Sequence, residues 1–331
     1  MSKRLWSNSV AAAPVQRLAK AAIPPPVTLL SRWLNLFKIN QGSRAIIGYE
    51  ANRSITLEEA LEAHLSEKPH RQRTVEGYRY HLSRYLGHFR EFPISDISRQ
   101  MVRDHYIFLK QNHGETTAAS TMRTLKAVIN TAMRLDETLN SNPVGALYIP
   151  GPKRRKVPPI DLQQWWTNVS GIPPVRRDLH IAMLLTGARR SSILQVKRKD
   201  VDLDRALLTF THMKTSDEPL TFPMGEFLTK LIADRLLADI DRDSPWLWPS
   251  PMSRLGRITE PKVPGLPTPH EYRHYARTFY IAAGVPYAQG ALLLGQRLPG
   301  ATGAYVHLEH LVEDLRADVQ ALENYILARI R

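Results

Sequence analysis

Residues 184–196 read Leu-Leu-Thr-Gly-Ala-Arg-Arg-Ser-Ser-Ile-Leu-Gln-Val. The glycine predicts a turn just before Arg189, and apolar residues return at helical spacing after it. The segment therefore presents two adjacent cations, Arg189 and Arg190, where a helix begins. In most proteins such a pair is only a solvated helix start. This segment indicates a functional site only in combination with other segments of the chain.

Two later segments also combine ordered structure with residues able to do chemistry. Residues 270–277 read His-Glu-Tyr-Arg-His-Tyr-Ala-Arg, which puts His270 and Arg273 on one side of a helix that opens after Pro269. Residues 292–307 end an apolar helix at a glycine, cross a flexible turn and present Tyr305. Taken alone, the polar pair is commonplace, and the tyrosine would be a packed aromatic with a hydrogen-bonded hydroxyl.

A β-hairpin is predicted between these segments. Residues 206–212 alternate and are rich in β-forming types, residues 214–217 are turn-like, and residues 219–223 return as a second strand. The hairpin carries Lys214 near its tip.

Residues 54–148 are predicted to form a helical domain. A capping box at Thr56 opens the first helix, the second starts at Thr74, Ser98 caps the third, and the fourth spans residues 117–135. Each helix carries an apolar stripe at helical spacing, which predicts a compact bundle. Four cations would give this bundle a basic face suited to a polyanion: Arg71, Arg73, Arg123 and Lys126.

Residues 149–159 are predicted to be an interdomain linker, because helix-breaking prolines flank a run of four cations. The cations are Lys153, Arg154, Arg155 and Lys156. A run of like charges is usually just solvated, yet a stiff basic strap can also follow a duplex backbone, and we expect these four residues to contact DNA. Residues 1–53 carry scattered basic residues without sustained periodicity, which indicates a basic tail or arm.

Length and composition narrow the function. A chain of 331 residues fits two compact domains. The formal net charge of +14 indicates a polyanionic partner, nucleic acid first, although it could also serve solubility or an acidic membrane surface. The absence of cysteine excludes disulfides, thiolate nucleophiles and thiolate zinc sites. Without a secretory signal or a run of about 20 apolar residues, we expect a cytoplasmic, nucleoid-associated protein of a bacterial or phage-infected cell.

In order and spacing, these segments resemble the tyrosine recombinase (phage integrase) family over residues from about 55 to 310. On that resemblance the catalytic positions are Arg189, Lys214, His270, Arg273, Gln296 and Tyr305. The implied fold is mainly α with a small β-hairpin or sheet, arranged as a two-domain DNA clamp. A helical core-binding (SAM-like) domain over residues 54–148 precedes an α+β catalytic domain over residues 160–331.

The resemblance implies strand cleavage through a 3′-phosphotyrosyl intermediate on Tyr305. Arg189 and Arg273 would neutralise charge on the phosphate, His270 would accept the tyrosine proton, and Lys214 would protonate the departing 5′ oxygen. Because the freed 5′ hydroxyl attacks the equivalent intermediate on a partner strand, bond energy is conserved. Neither a cofactor nor a metal ion is expected.

The implied function is site-specific recombination for the integration or excision of a mobile element. The expected partners are double-stranded DNA, three further copies of the chain in a homotetramer on paired sites, and accessory DNA-bending proteins, with no role for a membrane. The apolar stripe between Leu308 and Ile326 is expected to dock on a neighbouring protomer. The alternative is that the stripe folds back and completes the core of its own domain.

Two positions depart from the family pattern. Ser192 stands where the family commonly has a glutamate, and Gln296 stands where it has histidine or tryptophan. We expect Ser192 to alter a supporting contact, and Gln296 to retune the site with activity retained, because an amide can still donate to a phosphate oxygen. A type IB topoisomerase and a DNA-binding regulator that has lost catalysis are the competing functions.

Overall fold

The computed structural model describes residues 55–151, 156–213, 218–238, 243–296, 298 and 311–330. They fall into two compact units that divide between residues 153 and 154. Several predictions lie outside the described residues: the tail 1–53, Lys153, Arg154, Arg155, Lys214, Tyr305 and Leu308. Among the helices that the structure describes, none is both long and apolar enough to cross a membrane.

The first unit is the predicted helical bundle. Its helices are α1 Leu57–Ser66, α2 Gln72–Tyr85, α3 Arg99–His113 and α4 Glu115–Leu135, followed by a 3₁₀ turn at Pro143–Ala146. The capping box at Thr56 is present, and the Ser98 hydroxyl accepts a hydrogen bond from the Met101 amide. Helices α2 and α4 each begin two residues earlier than predicted, which is within the fraying of helix ends.

The apolar stripes of the first unit meet in one core. Leu57 and Leu61 of α1 are buried with Met122, Leu125 and Ile129 of α4. Helix α2 contributes less than its stripe suggests, since Leu82 is its only buried residue. The aromatic members of that stripe are half-buried and border the core.

The second unit contains helices around a small sheet. Its helices are α5 Leu162–Ser170, α6 Pro174–Thr186, α7 Arg190–Ile193, α8 Glu226–Leu237, α9 Pro269–Ala282, α10 Tyr287–Leu293 and α11 Val312–Ile330. Its strands are β1 Val201–Asp202, β2 Leu207–Phe210 and β3 Leu220–Pro223, antiparallel in that order. The predicted hairpin is confirmed, with Leu208 opposite Phe222, and β1 adds an edge strand that was not predicted. The mainly helical class with a small sheet is confirmed.

A buried polar network joins three helices and a loop of the second unit. The Trp165 indole of α5 donates to the Tyr272 hydroxyl of α9 at 2.9 Å. That hydroxyl lies 2.9 Å from His180 Nδ1 of α6, and His180 Nε2 lies 2.8 Å from the Pro261 carbonyl oxygen. Because a carbonyl only accepts, Nε2 carries the imidazole proton and Nδ1 accepts from Tyr272. Every polar atom of this chain of bonds therefore has a partner, and α6 and α9 are held at a fixed spacing.

Helix α11 completes the core of its own unit. Leu315, Val319, Leu322 and Ile326 are buried among the core residues, and the helix packs against α9, β3 and α5. The Glu323 carboxylate accepts from the amides of Phe227 and Leu228 at 2.9 and 3.0 Å, and so caps α8. The face that was expected to dock on a neighbouring protomer is thus occupied within residues 312–330 by the chain itself. Helical periodicity shows that a face is buried, but not against what.

Candidate active site

A glycine turn between α6 and α7 positions the first arginine. Gly187 ends α6 with φ +57°, in the left-handed region. A Cβ there would overlap the Leu294 side chain and would lie 2.8 Å from Ala276 Cβ. The position therefore requires glycine both for its backbone conformation and for the close approach of α9 and the end of α10. Arg189 follows two residues later, at the N-cap position of α7.

A second glycine turn faces the first. Gly295, which follows α10, has φ +60°, and a Cβ there would lie 2.5 Å from the Met213 methyl group. Its carbonyl oxygen accepts a 3.2 Å hydrogen bond from Arg189 Nη1. The guanidinium of Arg189 is therefore held by the turn that leads into Gln296.

Arg273 braces the two turns against each other. From α9 it donates through Nη1 to the Gly187 carbonyl at 2.9 Å and through Nη2 to the Leu294 carbonyl at 2.8 Å. Burial, together with the charges of Arg189 and Arg277, lowers the pKa of Arg273 to about 10. Burial also lowers the pKa of Arg189. Arg273 stays protonated at neutral pH, and its charge is only partly screened by solvent.

The two arginines border a small cleft on the hairpin side. Its other lining residues are Ala188, Ser192, Phe210, Met213, Leu220, Leu293 and Leu294. The Ser192 hydroxyl donates to the His212 carbonyl at 2.6 Å, which ties α7 to the chain just after β2. An ionised glutamate could not donate this bond, so the contact depends on the serine hydroxyl.

His270 stands one turn before Arg273 on the same helix. A capping box between Thr268 and Glu271 opens α9, as the proline-led start predicts. His270 is exposed, and its Nε2 lies 3.1 Å from Nε2 of His274, also exposed. One of these two nitrogens must donate and the other accept, so the two rings share a single proton at this contact.

Gln296 is half-buried beside the second turn. Its Oε1 accepts a 3.2 Å hydrogen bond from Arg277 Nη1, and the Arg277 guanidinium lies over the Tyr287 ring at 3.9 Å from the centroid. Arg277 follows Arg273 by one helical turn on α9. Sequence reasoning assigned no role to Arg277 or His274, although each stands four residues after a predicted site residue.

The structure thus brings together Arg189, Arg273 and the turn at Gln296, with His270 on the helix that carries Arg273. The expected DNA-contacting residues that are described are all exposed: Arg71, Arg73, Arg123, Lys126 and Lys156. Arg123 donates to the Pro150 carbonyl at 2.7 Å, which braces the end of the first unit.

Known proteins match both units. Residues 55–146 match the family model described as Phage integrase SAM-like domain. The chain is also 29% identical over 178 residues to the tyrosine recombinase XerA of Saccharolobus solfataricus, an alignment that covers 51% of this chain and 57% of that relative. In both comparisons the chain is similar to tyrosine recombinases and phage integrases. The aligned part spans little more than half the length of the relative.

Solved integrases share the fold of this chain. A lambda integrase tetramer bound to a Holliday junction superposes with a TM-score of 0.62 at 15% identity, over 82% of this chain and 88% of that one. The Tn1549 transposon integrase, in complex with transposon right end DNA, gives a TM-score of 0.58 at 17% identity, over 78% and 98%.

Proposed function

We propose that the chain is a site-specific DNA recombinase that cuts and rejoins strands through a 3′-phosphotyrosyl intermediate, for the integration or excision of a mobile element. The observation that carries this proposal is the pair of partly desolvated guanidiniums, Arg189 and Arg273, braced through the backbone of two facing glycine turns. Two fixed cations beside a cleft are what a phosphoryl-transfer site requires.

The arginines neutralise the phosphate. Charge builds on the non-bridging oxygens as the phosphorus is attacked, and a guanidinium meets two such oxygens with paired donors. Arg273 donates hydrogen bonds to two carbonyl oxygens, which fixes the plane of its guanidinium before substrate binds. A preorganised donor loses little orientational freedom on binding, so its attraction to the transition state is retained.

The proton transfers use residues on other segments. The Tyr305 hydroxyl oxygen attacks phosphorus while its proton passes to His270, and the bond from phosphorus to the 5′ oxygen breaks. Lys214 gives a proton to that oxygen, which leaves as a hydroxyl. The hydroxyl of a partner strand then attacks the phosphotyrosine, which restores a phosphodiester and returns both protons. Phosphodiester bonds are neither gained nor lost, so the cycle is balanced without ATP.

DNA binding is proposed for both units. Exposed Arg71, Arg73, Arg123 and Lys126 on the helical unit, with the linker cations of residues 153–156, supply sequence-independent attraction to phosphates. Lambda integrase has been solved as a dimer on a core site and as a tetramer on a Holliday junction. We infer the same kind of assembly here, a homotetramer on paired duplex sites, with accessory DNA-bending proteins.

The test is covalent trapping on a nicked suicide duplex. Wild-type protein should form a protein–DNA adduct resistant to denaturation, and Tyr305→Phe should bind the same duplex without forming it, because only the nucleophilic oxygen is deleted. An adduct formed by Tyr305→Phe would remove this tyrosine from the reaction. The absence of any wild-type adduct on DNA carrying the recognised site would contradict the proposed enzyme.

A further inference from the structure

The orientation of the Gln296 amide is fixed by chemistry. An amide offers an oxygen acceptor and an NH₂ donor that have nearly the same shape, so its partners decide which points where. A guanidinium has only donors. Because Arg277 Nη1 lies 3.2 Å from this amide, the atom facing it must be Oε1. The NH₂ group then remains as a donor for a different partner.

Arg277 is itself held in place from outside the site. Its guanidinium stacks on the ring of Tyr287, the first residue of α10, at 3.9 Å from the centroid. Tyr287 is 68% exposed, so the pair lies at the surface, where cation–π stacking is worth about 0.5–1 kcal/mol. The contact connects α9 to the start of α10, whose far end leads into Gly295 and Gln296.

On the family resemblance drawn from the sequence, Gln296 stands where histidine or tryptophan is common. A histidine or tryptophan ring presents its N–H through its own geometry, whereas a glutamine amide can rotate by half a turn and present an acceptor to the phosphate. An acceptor facing a phosphate oxygen is repulsive. A glutamine at this position therefore needs a second residue that selects one orientation.

We propose that Arg277 is a positioning residue that orients Gln296 so that the amide NH₂ donates to a non-bridging oxygen of the scissile phosphate. The inference rests on the proposed recombinase function. Arg277 and Gln296 together perform what one ring donor does alone, and Tyr287 steadies the arginine. Arg277 also adds positive charge near Arg273, so an effect through orientation has to be distinguished from an effect through charge.

A double-mutant cycle separates the two effects. Arg277→Met removes the positive charge and the hydrogen-bond donors but keeps a side chain long enough to cover the Tyr287 ring. This substitution is made in three backgrounds: wild type, Gln296→His and Gln296→Ala. The readouts are the single-turnover rate of adduct formation on the suicide duplex, the Kd for the duplex at one salt concentration, and Tm. Arg329→Met is the matched control, because Arg329 also stacks on a tyrosine, Tyr325, at 3.5 Å.

Arg277→Met should slow adduct formation about tenfold or more with glutamine present, since a misdirected donor loses much of the 10²–10³ that such a group supplies. With histidine or alanine at 296 the same change should cost less than about threefold, because there is no amide left to orient. Arg329→Met, which also removes one stacked cation, should leave the rate of adduct formation within about threefold of wild type. Arg277→Lys, which keeps a donor-only cation, should restore part of the rate.

An equal loss in all three backgrounds would show that Arg277 acts by charge or by direct contact, and would overturn the proposal. A wild-type rate for Arg277→Met would do the same. If histidine at 296 prevented folding, judged by Tm, the alanine arm alone would decide. Failure of the proposed function is separate, because then the wild-type protein would form no adduct.

Discussion

Arg273 Nη1 donates a 2.9 Å hydrogen bond to the carbonyl oxygen of Gly187, two residues before Arg189. The second arginine of the site thus holds the turn that presents the first. Arg189 in turn bonds the carbonyl of Gly295, and Arg273 bonds that of Leu294, so both guanidiniums share one pair of turns. A shift of either turn would move both cations together.

Replacing either arginine should abolish most strand cleavage, with different effects on stability. Arg189→Ala and Arg273→Ala should each slow adduct formation by about 10²–10³, because each removes a donor that acts on the transition state. Arg273→Ala also leaves the Gly187 and Leu294 carbonyls without their donors, which costs about 1–3 kcal/mol for each buried group. Its Tm should therefore fall well below that of Arg189→Ala, measured by thermal unfolding.

Arg190→Ala is the control for loss of one positive charge. Arg190 is exposed and donates to the Thr259 carbonyl and to Glu260, so its removal leaves the glycine turns unchanged. Adduct formation within about threefold of wild type is expected for it. Cleavage by Arg189→Ala at the rate of Arg190→Ala would take Arg189 out of the site.

The buried imidazole of His180 should make the second unit sensitive to acid. Burial lowers the pKa of His180 from 6.5 to about 4. Below pH 6.5 the unfolded chain binds a proton at His180, whereas the folded chain binds it only below about pH 4. The free energy of unfolding is therefore highest above pH 6.5 and decreases as the pH falls from 6.5 to about 4. With about 1.4 kcal/mol for each pKa unit, the loss approaches about 3 kcal/mol by pH 4. Urea unfolding followed by tryptophan fluorescence measures it.

His180→Gln is the comparison, because the glutamine amide can donate to Pro261 and accept from Tyr272 without titrating. Burial raises the carboxyl pKa values of Asp178 and Glu323, and protonation of these groups acts on stability in the opposite direction. The difference between wild type and variant therefore isolates His180. Tryptophan fluorescence reports mainly on this unit, because four of the six tryptophans lie in it: Trp165, Trp166, Trp246 and Trp248. Parallel pH profiles for the two proteins would mean that His180 is not the titrating group.

Much of the fold could be read from local chemistry in the sequence. The capping residues Thr56 and Ser98, the hairpin and the helix bearing His270 all depend on neighbours within a few residues, and all are as predicted. Strand β1 was missed because two residues are too short for an alternating pattern. Its pairing with β2 is set by the tertiary fold.

The site was predictable in part for the same reason. Motif spacing identified Arg189 and Arg273 as candidates, but spacing cannot show that their guanidiniums meet carbonyls of turns on other segments. Arg277 was missed because a cation on a helix normally faces solvent, and its partner Gln296 is 19 residues away. Such a pairing depends on how α9 and α10 pack, which no local pattern encodes.

The C-terminal helix should stabilise the monomer. Leu322 is fully buried, and a leucine-to-alanine change in a core costs about 2–5 kcal/mol. Leu322→Ala should therefore lower the Tm of the second unit strongly, whereas Leu237→Ala, at a leucine 75% exposed, should change the unfolding free energy by less than about 0.5 kcal/mol. Because α11 packs within its own unit, the destabilisation should not depend on protein concentration, checked over a hundredfold range of dilution.

If α11 instead docked on a neighbouring protomer, Leu322→Ala would leave the dilute monomer as stable as wild type and would weaken assembly on paired sites. A concentration-dependent Tm for the wild-type protein, lost in Leu322→Ala, would establish that alternative.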